Sequence, residues 1–186
     1  MKKLLIIGGS PRPNGVSEEL IRQVKSYFID CKIVEYNTYK LAPAPCTDCR
    51  FCEQHAGCAN KDLDIFFEDF EDADYIAFFT PVYNNFFPAP LKAVIDRFQR
   101  YYSARFKRGA KPPIAKPKRV GVVIVSGSNA RQCADYMTAP QDVIGNDEWN
   151  YEYVLQYLSD NPSTDSQGIG KAVCDGYYTK CEEKGT

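Results

Sequence analysis

A chain of 186 residues is long enough to bury one substantial core and short for two. Its 23 basic and 24 acidic side chains leave a net charge of -1 with no basic stripe, which excludes a nucleic-acid footprint and favours small-molecule chemistry. The apolar run after Lys2-Lys3 meets Pro11 too soon for a secretory signal, and no segment approaches membrane-spanning length, so a cytoplasmic protein without membrane contact is expected.

Strand-like and helix-like patterns alternate along the chain. The first strand is Lys3 to Gly8. After it, Gly8-Gly9-Ser10-Pro11-Arg12-Pro13-Asn14-Gly15-Val16-Ser17 forms a loop of phosphate size, and Leu20, Ile21, Val24 and Phe28 then recur at helical spacing. Lys32 to Tyr36 is a second strand. Asp62 is the expected N-cap of a helix whose apolar stripe is Leu63, Phe66, Phe67 and Phe70. Tyr75 to Thr80 gives a third strand. Leu91, Val94, Ile95, Phe98 and Tyr101 read as one helix opened by Pro90 at its first turn. Val120 to Val125 is the most apolar strand, Tyr151 to Leu155 a weaker fifth, and Ile169, Val173 and Tyr177 mark a closing helix. Residues 131–150 match no usable motif.

This pattern predicts a single α/β domain over 1–186, a doubly wound five-stranded parallel sheet in flavodoxin-like order with helices on both faces, and a cysteine-rich insert at about 43–60. In such a sheet ligands bind outside the carboxyl ends of the strands. Three loops lie there: Ser10 to Ser17, Pro81 to Phe87, and Ser126 to Asn129.

Hydroxyls, glycine backbone and the Arg12 guanidinium beside a helix N-terminus can replace the hydration shell of an anion. The glycines do not follow G-x-G-x-x-G, and no G-K-[ST] follows Gly15, so neither a dinucleotide fingerprint nor a P-loop is present. A monophosphate on a longer apolar ligand fits better, provided Glu18 and Glu19 turn away from it. The plainer alternative is a solvated helix cap with Ser17 as N-cap. Pro81-Val82-Tyr83-Asn84-Asn85-Phe86-Phe87 places aromatic rings and amides where a planar heterocycle can stack, and Ser126-Gly127-Ser128 can close its other side.

Taken together, Gly9-Ser10-Pro11-Arg12 through Gly15 and Ser17, Thr80-Pro81-Val82-Tyr83, and Leu91-Lys92 through Asp96-Arg97 resemble the NADPH-dependent FMN reductase family over about residues 3–130. The resemblance implies that Ser10, Arg12, Asn14, Gly15 and Ser17 hold the FMN phosphate. It also implies that Pro81, Val82, Tyr83, Asn84 and Asn85 contact the ribityl chain and ring, while Ser126 and Gly127 approach the ring from the third loop. It further implies a homodimer or homotetramer. Lys92, Asp96 and Arg97 match family positions, but a helix-exposed ion pair is their simpler reading. Interleaved aromatics and arginines over 98–108 suit a protein interface better than single-stranded nucleic acid, given the balanced charge.

Four of the eight cysteines, Cys46, Cys49, Cys52 and Cys58, fall in a C-x2-C-x2-C-x5-C run within thirteen residues. Clustered thiols in a cytoplasmic chain bind metal or do redox chemistry more often than they form disulfides. The compact spacing suits a [4Fe-4S] cluster, whose four thiolates reach different irons, whereas zinc prefers two separated ligand pairs. A reduced cysteine-rich loop with no metal is the equal alternative. The run resembles the iron-sulfur flavoprotein branch of the same superfamily. His55 reads as a loop residue, and Cys31, Cys133, Cys174 and Cys181 as solitary.

The expected activity is therefore an FMN-dependent oxidoreductase in which hydride passes from NAD(P)H to the flavin N5, and electrons leave to a small-molecule acceptor such as a flavin, a quinone or an azo compound. No side chain is expected to act as acid or base, because the flavin carries the hard chemistry. Backbone N–H groups near Asn84 and Asn85 are expected to stabilise the reduced ring. Two other classes stand beside it: an electron carrier between protein partners through the cysteine cluster, and a non-enzymatic metal-binding or regulatory module.

Overall fold

Leu4, Leu5, Ile6 and Ile7 are all fully buried, which only a strand covered on both faces allows. They form β1 (Lys3–Gly8), an interior strand of a five-stranded all-parallel sheet in the computed structural model. The structure describes residues 1–84, 86–116 and 118–126, and the backbone of strand 149–158. After β1 come α1 (Val16–Tyr27), β2 (Lys32–Asn37), α2 (Thr38–Leu41), α3 (Phe51–Gln54) and α4 (Asp64–Asp72). Then follow β3 (Tyr75–Pro81), α5 (Ala89–Asp96), α6 (Gln99–Phe106), β4 (Lys118–Ser126) and β5 (Trp149–Leu158).

The strand order is β2-β1-β3-β4-β5, so the chain reverses its winding direction between β1 and β3 and leaves a crevice at their carboxyl ends. Alternation along each strand sorts the core into two layers. Leu5, Ile7, Ile76, Phe78, Val122 and Ile124 face α4, α5 and α6, where Phe66, Phe67, Phe70, Phe98 and Tyr101 pack edge to face or tilted. Leu4, Ile6, Ala77, Phe79 and Val123 face α1 through Leu20, Ile21, Val24 and Phe28. The edge strand β2 is only half buried, as its alternating KIVEYN sequence requires.

Every strand expected from sequence is present, within one to three residues of its expected ends. Three local expectations change. Asp62 does not cap α4: that helix starts at Asp64 after Leu63 with no side-chain cap, and the Asp62 carboxylate instead accepts from Ala44 N at 2.8 Å and Arg97 Nη1 at 2.9 Å. A buried guanidinium outcompetes a helix N–H for a carboxylate. The stripe Leu91 to Tyr101 is two helices, because Arg97 N and Phe98 N bond three residues back, to Val94 O and Ile95 O, and tighten the chain into a 3₁₀ turn. Its apolar face nevertheless continues across the break. Ser17 is not the cap of α1 but its second residue, with Gly15 at the cap in extended conformation. The closing helix expected at Ile169 to Tyr177, with Cys133, Cys174 and Cys181, lies outside the described residues. Among those described, no helix is long and apolar enough to cross a membrane.

Candidate functional site

The carboxyl ends of β1, β3 and β4 open onto a cleft of about 200 Å³. One wall is the first loop, through Ser10, Arg12, Gly15, Val16 and Ser17; the other is Pro81, Val82 and Tyr83 with Val125 and Ser126. Gly9 fixes how close these walls stand. A Cβ there would lie 2.9 Å from Leu91 Cδ2 and 3.1 Å from Thr80 Oγ1, so only glycine lets β1 run flat against β3 into the loop. Its N–H bonds Phe79 O at 2.7 Å. The loop then turns at Arg12 to Gly15, closed by Gly15 N donating to Arg12 O at 3.2 Å, while Ser10 Oγ accepts from Arg12 N at 3.2 Å.

The first turn of α1 therefore faces the cleft with unused donors. Glu18 N and Glu19 N bond back to Gly15 O, whereas Val16 N and Ser17 N meet no acceptor among the described residues. Ser10 and Ser17 are buried hydroxyls on the same wall, and the Arg12 side chain stands exposed there with no ion pair among the described residues. The two glutamates that would oppose an anion are occupied elsewhere. Glu18 Oε1 accepts from Asn37 Nδ2 at 3.3 Å, and Glu19 pairs with Arg22 and Gln23, bonds that hold its carboxyl below the usual value. Hydroxyls, free N–H groups, a helix dipole and one uncommitted guanidinium are a donor set for a phosphate monoester. Asn14 lies in this loop but does not line the cleft.

On the second wall, Val82 N donates to Val125 O at 3.0 Å, tying the loop to β4. Tyr83 and Phe86 exchange backbone bonds at 3.0 Å across a two-residue turn, with Asn84 left-handed at φ 49°. Only Tyr83 of the three expected rings reaches the cleft; Phe87 is buried and packs against Phe86. Asn84 sits at the turn tip outside the cleft lining, and Asn85, Gly127, Ser128 and Asn129 lie outside the described residues. Tyr39, passed over in sequence, stands on α2 beside Tyr83: burial, then the neighbouring Tyr83 phenol, pushes its own phenol pKa up. A one-turn helix carries no periodicity that would have singled it out.

The insert makes a second site. Cys46, Cys49, Cys52 and Cys58 all line one cavity of about 30 Å³, roofed by Arg97, Arg100 and Ser103 from the α5–α6 joint. Arg97 is not the exposed partner that its spacing suggested. Lys92 and Asp96 do pair with each other on the half-exposed face of α5, but the Arg97 side chain is 2% exposed. It donates to Ala44 O at 3.1 Å, Asn60 O at 2.6 Å and Asp62 at 2.9 Å, clasping both ends of the insert. His55 stacks on Phe51 at 4.5 Å and lies outside the cavity, as a loop residue should.

Among the described residues no three Cys, His, Asp or Glu side chains converge on a point as one metal ion requires. A cubane asks for something different, since each thiolate binds its own iron. The four thiols around a common cavity and the cationic roof fit such a group in chemistry. Cys46 and Cys49 are both on exposed irregular chain.

The family model for NADPH-dependent FMN reductases matches residues 2–141. The chain belongs to that family. Within the FMN reductase family, it is 33% identical over 105 residues to an iron-sulfur flavoprotein of Archaeoglobus fulgidus, an overlap of 54% of this chain and 52% of that protein. The chain thus spans about half the length of this curated relative. Its fold is similar to that of an NAD(P)H:quinone oxidoreductase from Methanothermobacter marburgensis, with TM-score 0.66, 18% identity and 96% of each chain covered. An FMN-dependent NADH-azoreductase from Bacillus anthracis, solved with FMN, shares it at TM-score 0.58 and 14% identity over 97% of this chain and 99% of that one. The flavodoxin-like reductase fold expected from sequence is therefore the fold of this FMN reductase family member.

Proposed function

We propose that the chain binds FMN in the cleft beyond β1, β3 and β4 and uses it to move electrons from NAD(P)H to a small acceptor such as a flavin, a quinone or an azo compound. The observation that carries this reading is the first wall of the cleft. Val16 and Ser17 N–H groups with no acceptor among the described residues, the buried Ser10 and Ser17 hydroxyls and the exposed Arg12 all belong to the same side of that cleft. Family membership and the FMN-bound neighbour support the identity of the ligand.

FMN, when bound, supplies the hydride-accepting ring; the residues of the chain bind and orient it. Arg12 and the α1 N-terminus neutralise the phosphate and fix the ring's distance from the loop. Val82, held against Val125, and Tyr83 form an apolar wall for the planar end. Glu18 and Glu19, turned toward Asn37 and Arg22, keep negative charge away.

The four cysteines favour a second redox centre: Cys46, Cys49, Cys52 and Cys58 would hold a [4Fe-4S] cluster, which would supply one-electron chemistry. The cationic roof over one shared cavity supports it, as does the likeness to an iron-sulfur flavoprotein. The chain is also proposed to act as a homodimer or homotetramer in the cytoplasm. Purification without oxygen, iron and sulfide analysis, and a spectrum before and after NADPH and NADH test these statements. A flavin band that bleaches with either nucleotide supports the reductase, and iron with sulfide supports the cluster. A protein that takes up FMN but stays oxidised with both nucleotides refutes reduction by NAD(P)H.

A further inference from the structure

Two guanidinium nitrogens of residues lining the cysteine cavity are buried with no acceptor among the described residues: Arg97 Nε and Arg100 Nη1. Such orphaned donors are rare, and each costs free energy unless something supplies an acceptor. Arg97 has other partners. Arg100 is worse placed, since among the described residues the carboxylate it pairs with is Glu71, which stands 3.7 Å away and already accepts from the Tyr101 hydroxyl at 2.8 Å. Its guanidinium carbon lies 4.5 Å from the centre of the Phe67 ring, a contact that satisfies none of its N–H groups. Beside it, buried Ser103 Oγ contacts Cys52 Sγ at 3.4 Å, and Arg108 donates to Cys52 O.

Acidic groups do not balance these cations inside the cavity. Asp48 and Glu53 line it, but Asp48 is exposed and stands 4.0 Å from Arg50. The cavity lining therefore combines the Arg100 guanidinium and unspent N–H donors with four cysteines. That surplus is wasted on four neutral thiols and matched by four thiolates carrying a net-negative iron-sulfur core.

We propose that Arg100 and Ser103, assisted by Arg97 Nε, donate hydrogen bonds to the sulfurs of the cluster and hold its reduction potential up. The inference rests on the cluster reading above. One-electron reduction adds negative charge to the core and breaks no bond; donors and cations near the sulfurs favour the reduced state and raise the potential. Arg100 and Ser103 are positioning residues in this scheme and ligate nothing.

The test is a dithionite titration without oxygen of wild type, R100Q, R100K and S103A, each reconstituted with iron and sulfide, following the electron paramagnetic resonance signal of the reduced cluster. Removing the charge in R100Q lowers the midpoint, R100K restores part of it, and S103A lowers it by a smaller step. Loss of iron from R100Q but not from R100K, with FMN affinity unchanged in both, supports the proposal equally. Coincident midpoints at equal cluster content overturn it. Should R100Q fail to fold, S103A, which removes one hydroxyl, decides by the same criterion. A wild-type protein that takes up no iron and sulfide refutes the cluster reading itself, an outcome recognisable before any variant is measured.

Discussion

Replacing Arg97 by methionine keeps most of the apolar volume and deletes the clasp on the insert. Three groups lose the Arg97 donor: Ala44 O, Asn60 O and the Asp62 carboxylate, which keeps its bond from Ala44 N. Removing one partner of a fully buried pair costs about 3–5 kcal/mol. Here Asp62 keeps 29% of its side chain exposed and Asn60 is exposed, so water recovers part of the loss, and about 2–3 kcal/mol is expected. Urea unfolding at fixed FMN concentration, read by circular dichroism, measures it. Because Asp62 is a direct partner, the cycle with D62N should show a coupling of about 1–2 kcal/mol. The clasp also holds both ends of the insert, so trypsin should cut R97M at Arg50 and Lys61 faster than wild type. An R97M protein within about 0.5 kcal/mol of wild type, or one strictly additive with D62N, refutes the clasp.

Three further outcomes follow from the geometry. Gly9→Ala places a methyl 2.9 Å from Leu91 and should destabilise by about 1–3 kcal/mol while weakening FMN binding, read by urea unfolding and flavin fluorescence. Arg12→Ala should weaken FMN binding by about 10- to 100-fold, the equivalent of one charge-assisted contact, with little change in unfolding midpoint. Burial pushes the Asp69 carboxyl up, but hydrogen bonds from Lys3 at 2.7 Å and Tyr36 at 2.6 Å outweigh it and hold the value below the usual 3.8. A lowered folded value means stabilisation that is present above the unfolded carboxylate range and lost as pH falls through the folded value. The stability gap between wild type and D69N, about 1–2 kcal/mol at pH 7, should therefore shrink by pH 3.

Periodicity and turn chemistry made the sheet legible, because β1, β3 and β4 are apolar on both faces and each ends in a Gly, Pro or Ser loop. The phosphate loop was legible for the same local reason: its hydroxyls and glycines lie within eight residues of each other. Long-range partners were not. Asp62 looks like a helix cap because nothing in its neighbourhood announces Arg97, 35 residues away. Arg97 in turn follows Lys92 and Asp96 at surface-helix spacing, and only the insert folding over it turns an exposed position into a buried one. The break between α5 and α6 was hidden because a 3₁₀ turn there keeps Phe98 and Tyr101 on the same apolar face. Tyr39 escaped because its meaning depends on where Tyr83 lands. The cysteine spacing put four thiols in one run, while the arginines that line the same cavity come from the distant α5–α6 joint.

FMN and riboflavin share the same ring and differ by the phosphate, so their relative affinities for the apoprotein test the central claim most directly. Quenching of flavin fluorescence should show FMN bound more than about 100-fold tighter than riboflavin, as several charge-assisted contacts to the phosphate require. That gap should narrow in the Arg12→Ala variant. Equal affinities for the two flavins, or no binding of FMN, would contradict the assignment of the Ser10–Ser17 loop and of the cleft it lines.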